Sequence, residues 1–499
     1  MICNNLYKCI DDGDEIIGVF LDLTKAFDKV WHKGLLHKLK CIGITGNLYN
    51  LIESYLINRK QLVTLNGCKS EPLALKAGVP QGSVLGPLLF LVYINDISDD
   101  LNCETYMFAD DTSIFKRIAN NDATTAANVI NNALARVHTW SKKWLVNLNP
   151  SKTIVMLFSR KRVPSVLPNI YIGNDVLQLV NTHKHLGLTF TNSLSWSTHI
   201  DAVVTKCNRQ LGMLKKFKYI WSHKALETCY KSFVRPVIEY GSVIYDNCLL
   251  EDVTKLEGVQ LEAARLVSGA KRCTSHDPLY REVGWQSLQH RRNYAKLVIM
   301  YKMVNDIAPS YLCGLLKDFR PSATNRTRHQ ANNKFIIPKC KISAYEKSFI
   351  VSSLKLWNNL QNNLCNMPST LSFKTNLAKL YTCKKPILNT KSISRTTQVQ
   401  FSQIRMGFSN LNDHLFMKGC TDDRKCDCGA PKEDTKHYFL ICQKYSDLRN
   451  DLTNNIHSIS DNLHITLNTL LFGNDSLTDQ QNTAIIDFTC QYIVKSKRF

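Results

Sequence analysis

Two short apolar segments of this chain end in aspartates, and this feature most constrains its fold. Residues 16–21 (IIGVFL) lead into Asp22, and residues 106–109 (YMFA) lead into Asp110 and Asp111. Both segments have the composition of strands, and the first predicts a buried one. Because an unpaired buried charge is costly, Asp22 has a cationic partner, coordinates a metal ion, or caps a helix that starts near Lys25.

The Asp110–Asp111 pair has apolar sequence on both sides, which predicts a hairpin with two acids at its tip. Adjacent carboxylates in a partly buried setting repel each other, so divalent cations would stabilise them. Oxygen ligands without a nearby His or Cys favour Mg²⁺. We expect two Mg²⁺ ions, bridged by Asp22 and Asp110 and supported by Asp111, of the kind that catalyse in-line displacement at phosphorus.

A glycine- and proline-rich loop lies between the two acid sites at residues 77–87 (AGVPQGSVLGP). Glycine allows the backbone to approach another molecule closely, and proline stiffens the turn and favours the start of a helix, here at 84–96. Such a loop by itself would only join a strand to a buried helix. Because this loop lies between two predicted metal-binding sites, we expect it to form the base of a substrate-binding site.

These blocks resemble motifs A, B and C of reverse transcriptases, and they are most similar to those of non-LTR (LINE-type, jockey-like) retrotransposons. Residues 140–152 (WSKKWLVNLNPSK) resemble motif D, and residues 185–188 (HLGL) resemble motif E. Residues 230–240 and 258–270 resemble the thumb region of the same elements. The resemblance implies an α+β right-hand polymerase palm, an antiparallel sheet with packed helices, followed by a helical thumb. It also implies an RNA-directed DNA polymerase, a nucleotidyltransferase that extends a DNA primer with dNTPs on an RNA template.

The resemblance assigns further roles beside the three metal-binding aspartates. Phe27 is implied as the steric gate against a nucleotide 2′-hydroxyl, and Gln81 and Gly82 as contacts to the nascent base pair. Lys152 is implied as the general acid that protonates the leaving pyrophosphate. From the residues alone, Phe27 is equally a core aromatic and Lys152 a solvated lysine at a turn.

In the family, a fingers subdomain and an endonuclease domain precede motif A, whereas the strand with Asp22 begins near residue 15 here. We therefore expect an N-terminally truncated element protein that is weak or inert as a polymerase alone. The alternative is a catalytically dead, nucleic-acid-binding remnant.

Near the C-terminus, Cys426, Cys428, His437 and Cys442 form a C-x-C…H-x4-C pattern. Three cysteines and one histidine are a common structural zinc set, although the first gap is tighter than usual, and incidental cysteines remain an alternative. Similar zinc-knuckle patterns follow the polymerase in related retroelements, and this resemblance implies that the segment binds RNA or DNA. Cys420 is a potential substitute ligand.

The net charge of +22 requires a polyanionic partner or a very basic surface, and nucleic acid is the natural partner. The expected partners are RNA template, DNA primer and element RNA in a ribonucleoprotein. No secretory signal or membrane span is evident, so an intracellular protein of the nucleus or cytoplasm is expected. The expected domains are a palm at 1–190, a helical thumb at 198–317, a loop-rich linker at 318–400 and a helical region with the knuckle at 401–499.

Overall fold

Two compact units form the chain in this computed structural model. Unit 1 contains residues 1–199 and 339–348, and unit 2 contains residues 200–338 and 349–499. The structure describes residues 1–272, 274–321, 334–381, 393–461 and 463–499. No helix within these ranges combines the length and apolar character that a membrane span requires.

All the strands described here lie in unit 1. They are β1 (Glu15–Leu21), β2 (Lys60–Gln61), β3 (Thr64–Leu65), β4 (Cys68–Lys69), β5 (Leu73–Ala74), β6 (Glu104–Phe108), β7 (Asp111–Ile118), β8 (Ile154–Phe158), β9 (Tyr171–Ile172), β10 (Asp175–Val176), β11 (Gln178–Leu179), β12 (Thr182–His185) and β13 (Leu188–Thr191).

The helices divide between the two units. Those of unit 1 are α1 (Ile2–Asp12), α2 (His32–Cys41), α3 (Gly46–Leu56), α4 (Leu85–Ile94), α5 (Ala123–Lys143) and α13 (Ser343–Glu346). The others are α6 (Ser197–Lys215), α7 (His223–Cys229), α8 (Arg235–Glu239), α9 (Leu250–Ser268), α10 (His276–Val283), α11 (Leu288–Val304), α12 (Ser310–Cys313), α14 (Phe349–Asn358), α15 (Asn362–Cys365), α16 (Thr370–Tyr381), α17 (Arg395–Arg405), α18 (Asn412–Phe416), α19 (Ser446–His457), α20 (Leu467–Phe472) and α21 (Asp479–Ser496).

A five-stranded sheet in the order β11-β8-β1-β7-β6 forms the centre of unit 1. Every residue of β1 is buried, as a central strand with covered faces requires. The sheet is antiparallel except where β11 pairs with β8 in parallel, which corrects the expectation of an antiparallel sheet. Between β8 and β11 the chain forms the small β9–β10 hairpin.

Helices α2, α4 and α5 are joined by one buried lysine. The Lys38 ammonium donates to the Asp96 carboxylate and to the Tyr93 carbonyl, each at 2.5 Å. It also lies 3.8 Å from the centroid of the Trp144 ring. Burial lowers the pKa of Lys38 despite its carboxylate partner. These contacts fix α4, the helix that follows the glycine-rich loop.

Residues 339–348 belong to unit 1 although they lie far along the chain. The Asp11 carboxylate accepts hydrogen bonds from the backbone N–H groups of Lys341 and Ile342, both at 2.7 Å. The segment is therefore anchored to the end of α1.

Helices also occupy much of the segment that was expected to be a loop-rich linker, 318–400. In unit 2, α14 and α16 pack on α11 and bury Trp357 and Phe373 in a shared core. Short helices gain most of their stability from such packing rather than from local propensity. The polar sequence around them therefore led to the prediction of loops instead of helices. Residues 322–333 and 382–392 of that expected linker lie outside the described residues.

Candidate functional site

Asp22 directly follows the buried strand β1 at one end of the sheet. Its backbone N–H donates to the Thr153 hydroxyl at 3.2 Å, and its carbonyl accepts from the Asn149 N–H at 2.9 Å. The next helical turn along the chain begins only at Phe27, with Ala26 as its first flanking residue. Asp22 is therefore not a helix cap. Its half-buried side chain lies just beyond the end of the central strand β1.

Asp110 and Asp111 lie at the tip of the β6–β7 hairpin, as predicted. Phe108 pairs with Asp111, so Ala109 and Asp110 form a two-residue turn. Ala109 has φ 55°, a left-handed conformation uncommon for a residue other than glycine. Tight reversal at this point places both acids at the end of the hairpin.

The antiparallel register brings Asp22 to the same edge as the hairpin acids. Leu21 pairs with Thr112, so one further step along the register sets Asp22 opposite Asp111. Burial raises the pKa of Asp111, and the negative charges of Asp110 and Asp22 raise it further. The charges of both other aspartates thus reach Asp111.

This acid cluster fits hard divalent cations, because it offers oxygen donors and an excess of negative charge. The three aspartates do not form a closed ligand set, however. Within the described ranges, one group of His, Cys, Asp or Glu side chains has three or more ligand atoms within 4.8 Å of one another, and it lies near the C-terminus. The residues present therefore suit Mg²⁺ whose coordination is completed by other oxygen donors, such as water or phosphate.

The glycine-rich loop lies against the segment that follows Asp22. The N–H of Gly78 donates to the Val30 carbonyl at 2.8 Å, and the N–H of Val79 donates to the Phe27 carbonyl at 2.9 Å. At Gly78, with φ 96°, an added Cβ would lie 2.8 Å from the Asp28 carbonyl oxygen. The close backbone approach at Gly78 is therefore made to the chain's own residues, and the predicted approach of this loop to another molecule stays a prediction.

Phe27 and Gln81 both have defined partners. The Phe27 ring stacks on the Phe90 ring of α4, with centroids 4.5 Å apart and planes inclined by 24°. The Gln81 side-chain amide donates to the Asp28 carboxylate at 2.8 Å. Gly82 is exposed, has φ 78° and has open space beside it. The structure thus links Gln81 to the segment that carries Phe27 and leaves Gly82 exposed in the same loop.

Lys152 is exposed in the loop between α5 and β8. Its N–H donates to the Asn149 carbonyl at 3.2 Å, and the neighbouring Thr153 and Asn149 hold the backbone of Asp22. Lys152 therefore belongs to the loop that brackets Asp22.

Two histidines lie on β12: His183, which sequence reasoning missed, and His185, which begins the segment that resembles motif E. The ring centroids of His183 and His185 lie 4.6 Å and 5.0 Å from that of Phe20 on β1. Burial and the neighbouring His185 lower the pKa of His183, whereas the Asp111 carboxylate raises it. The alternating His-Lys-His pattern in a short strand was the available signal, since residues two apart share a face.

A second cluster, in unit 2, brings together Cys426, Cys428, His437 and Cys442, with all four ligand atoms within 4.8 Å. The sulfurs of Cys426 and Cys442 are 3.7 Å apart, and the Cys428 sulfur is 3.2 Å from His437 Nε2. Cys420 is exposed and stands outside this set.

Two short backbone turns position the four side chains of the Cys/His cluster. The N–H of Gly429, which has φ 87°, donates to the Cys426 carbonyl at 2.9 Å. The N–H of His437 donates to the Asp434 carboxylate at 2.7 Å, and the N–H of Cys442 donates to the His437 carbonyl, also at 2.7 Å. A tight turn thus presents the first two ligands and one helical turn presents the other two.

The thiols of this cluster differ in acidity. A hydrogen bond from the Ala430 backbone, helped by contacts to the neighbouring ligands, lowers the pKa of Cys428 to about 7. Burial raises the pKa of Cys426 to about 12 and also raises that of Cys442. Three thiols and one imidazole at this spacing suit a tetrahedral zinc ion, whose binding would displace the thiol protons.

Comparison with known proteins identifies similar sequences for much of the chain. Residues 6–199 match the family model described as reverse transcriptase (RNA-dependent DNA polymerase). The chain is 28% identical over 301 residues, 58% of its length and 33% of the relative's, to the probable RNA-directed DNA polymerase from transposon BS of Drosophila melanogaster. It is 29% identical over 283 residues, 54% of its length and 30% of the relative's, to the RNA-directed DNA polymerase from mobile element jockey of the same species.

Similarity also reaches beyond the matched domain. The chain is 23% identical over 447 residues, 87% of its length and 40% of the relative's, to the putative 115 kDa protein in type-1 retrotransposable element R1DM of D. melanogaster. The chain spans about a third of the length of the transposon BS and jockey relatives. Residues 6–199 are therefore similar to the reverse transcriptase family, and the proteins that resemble this chain include RNA-directed DNA polymerases from transposon BS and mobile element jockey.

Proposed function

We propose that this chain is the catalytic part of a retrotransposon polymerase that extends a DNA primer with dNTPs on an RNA template. The observation that carries the proposal is the convergence of Asp22, Asp110 and Asp111 at one end of the sheet, where burial, together with the charges of Asp110 and Asp22, raises the pKa of Asp111. A cluster of this kind is stabilised by divalent cations.

The three aspartates would hold two Mg²⁺ ions. When bound, the metal activates the attacking hydroxyl and stabilises the negative charge of the leaving pyrophosphate. The carboxylates have the further task of keeping the ions at the end of the sheet. Hydrogen bonds of the Asp22 backbone N–H and carbonyl support this role, because they fix the backbone from which its carboxylate extends.

Substrate selection would depend on the surface next to the acids. Phe27 would lie below the sugar and exclude a 2′-hydroxyl, and its stacking on Phe90 supports a rigid gate. Gln81 and Gly82 would contact the nascent base pair, with the Gln81 amide oriented by Asp28. Lys152 would donate the proton that the pyrophosphate takes as it leaves.

The remaining parts would bind nucleic acid. Residues 1–190 would act as the palm and 198–317 as the helical thumb, and the chain would work in a ribonucleoprotein with element RNA. Zinc held by the Cys/His cluster would order residues 426–442 as a structural knuckle that grips RNA or DNA.

Template-directed synthesis tests the proposal. The purified chain is incubated with an RNA template, an annealed DNA primer and dNTPs, with Mg²⁺ or with Ca²⁺, which takes more ligands at longer distances. Weak primer extension that requires Mg²⁺ and follows the template sequence is expected. Duplex binding without any extension would instead identify a nucleic-acid-binding remnant.

A further inference from the structure

The turn that joins α6 to α7 exposes an unusual amount of apolar surface. We call residues 216–221 (KFKYIW) the aromatic turn. The side chain of Tyr219 is 77% exposed and that of Ile220 is 74% exposed, and Met213, shortly before the turn, is 60% exposed. Contiguous exposed apolar groups mark interaction surfaces more often than single ones do.

This turn is held in one conformation. The rings of Phe217 and Trp221 stack with centroids 4.3 Å apart and planes inclined by 12°. The Phe217 carbonyl accepts hydrogen bonds from the N–H groups of Ile220 at 3.0 Å and Trp221 at 2.9 Å. A side chain presented by an already ordered turn loses little conformational entropy when it binds.

Arg395 fixes the same turn to the neighbouring helix. Its Nε donates to the Lys218 carbonyl at 3.1 Å, and its Nη2 donates to the carbonyls of Leu266 at 3.0 Å and Val267 at 2.7 Å at the end of α9. Burial lowers the pKa of Arg395 to about 10. A half-buried guanidinium of this kind positions the turn and leaves the exposed rings free to contact another molecule.

Positive charge surrounds the exposed rings. Residues 202–226 contain six lysines or arginines and no acidic residue: Lys206, Arg209, Lys215, Lys216, Lys218 and Lys224. Lys215 pairs with Glu262 at 3.2 Å, whereas Lys216, Lys218 and Lys224 have no acidic partner among the residues that the structure describes. The Lys218 ammonium lies 4.5 Å from the centroid of the Tyr219 ring, so charge and aromatic face are presented together.

We propose that the aromatic turn binds single-stranded nucleic acid, with an unpaired base stacked on Tyr219 and the flanking phosphates held by the lysines. Aromatic rings inside a basic surface are the usual means of binding single strands without sequence preference. A base in a duplex has both faces covered by its neighbours, so the ring selects unpaired nucleotides. The lysines match the continuous negative charge of the backbone.

Binding at this turn requires neither Mg²⁺ nor dNTPs, so its failure and the failure of polymerisation are separate outcomes. The full chain is titrated against a fluorescent 12-nucleotide oligothymidine strand and against an abasic strand of equal length and charge, with anisotropy as the readout. The variants are Tyr219→Ala, Tyr219→Leu and Tyr219→Phe. Tyr311→Ala is the matched control, since Tyr311 in α12 is 59% exposed.

We expect Tyr219→Ala and Tyr219→Leu to weaken binding of the oligothymidine strand about tenfold, which corresponds to the loss of one stacked base. Binding of the abasic strand stays unchanged, and Tyr219→Phe and Tyr311→Ala match the parent chain. An equal loss on both strands, or no loss on either, would overturn the proposal. Binding to phosphatidylserine vesicles that Tyr219→Ala abolishes, with oligothymidine binding intact, would overturn it in favour of a membrane surface.

Discussion

Gln81 donates a hydrogen bond to the Asp28 carboxylate at 2.8 Å, across 53 positions of the chain. This contact joins the glycine-rich loop to the segment that carries Asp22 and Phe27. Both side chains are exposed. The hydrogen bond therefore orients the Gln81 side chain and contributes little to the free energy of unfolding.

Removing either partner of this pair is expected to reduce nucleotide incorporation while leaving the fold intact. Gln81→Ala, Asp28→Ala and the double variant form a cycle, and we expect a coupling energy of about 0.5–1.5 kcal/mol in the catalytic efficiency for dNTPs. The free energy of unfolding should change by about 0.5 kcal/mol or less, as usual for exposed positions. Strictly additive effects on efficiency would show that the hydrogen bond does not orient Gln81 during the reaction.

Gly78→Ala is expected to destabilise unit 1 more than Gly82→Ala. Both glycines have positive φ, but an added Cβ at Gly78 also meets the Asp28 carbonyl oxygen at 2.8 Å, whereas Gly82 faces open space. We expect a loss of about 2–3 kcal/mol for Gly78→Ala and about 1 kcal/mol for Gly82→Ala by chemical denaturation. Equal losses would mean that backbone conformation alone, and not the close approach to Asp28, requires glycine.

Glu15 is buried at the start of β1, and we expect it to make the free energy of unfolding depend on pH in the acidic range. Burial alone would raise its pKa, but hydrogen bonds from Ser159, Ser165 and Lys161 outweigh that effect and lower the pKa to about 2. Since the folded pKa lies below the unfolded value near 4.5, the stabilisation is present above pH 4.5 and is lost as the pH falls toward 2.

The stabilisation from Glu15 amounts to about 3 kcal/mol. Denaturation at several pH values should therefore show a smaller acid-induced loss of stability for Glu15→Gln than for the parent chain. Glu71→Gln, at an exposed position, is the control and should retain the parent profile. A Glu15→Gln profile parallel to that of the parent between pH 4.5 and 2 would contradict the assignment.

The Cys/His cluster is expected to bind one zinc ion per chain. Cys428→Ser should reduce the zinc content, measured by elemental analysis of the purified chain, from about one equivalent to nearly none. Cys420→Ser should retain the metal, because Cys420 stands outside the ligand set. A chelator should lower the melting temperature of the parent chain and of Cys420→Ser but not of Cys428→Ser. Retention of zinc by Cys428→Ser would disprove the ligand assignment.

The sequence predicted local features of the site well, because they depend on short-range pattern. The apolar run of β1 and the acids at the hairpin tip follow from periodicity and turn position, and the Cys/His cluster follows from ligand spacing. Contacts between distant segments were not predictable in the same way. The Gln81–Asp28 bond and the position of His183 beside Asp111 depend on how strands and loops assemble, and one sequence does not encode those pairings as a local pattern.

The helices of residues 343–381 illustrate the same limit. Trp357 and Phe373 are apolar residues in short segments between polar stretches, and alone they do not predict stable helices. Their burial against Tyr301 of α11 supplies the stabilisation. The parallel β8–β11 pair was likewise not predictable from the sequence, because a two-residue strand shows almost no hydrophobic periodicity.

Primer extension by the purified chain and by an Asp110→Asn, Asp111→Asn variant tests the central claim most directly. Asp175→Asn, in the exposed strand β10, is the matched control, and duplex binding is measured in the same samples. We predict weak Mg²⁺-dependent incorporation of the templated dNTP by the parent chain and by Asp175→Asn, and none by the double variant, with equal duplex binding by all three. Incorporation by the double variant at the parent rate would contradict the assignment of these carboxylates to catalysis.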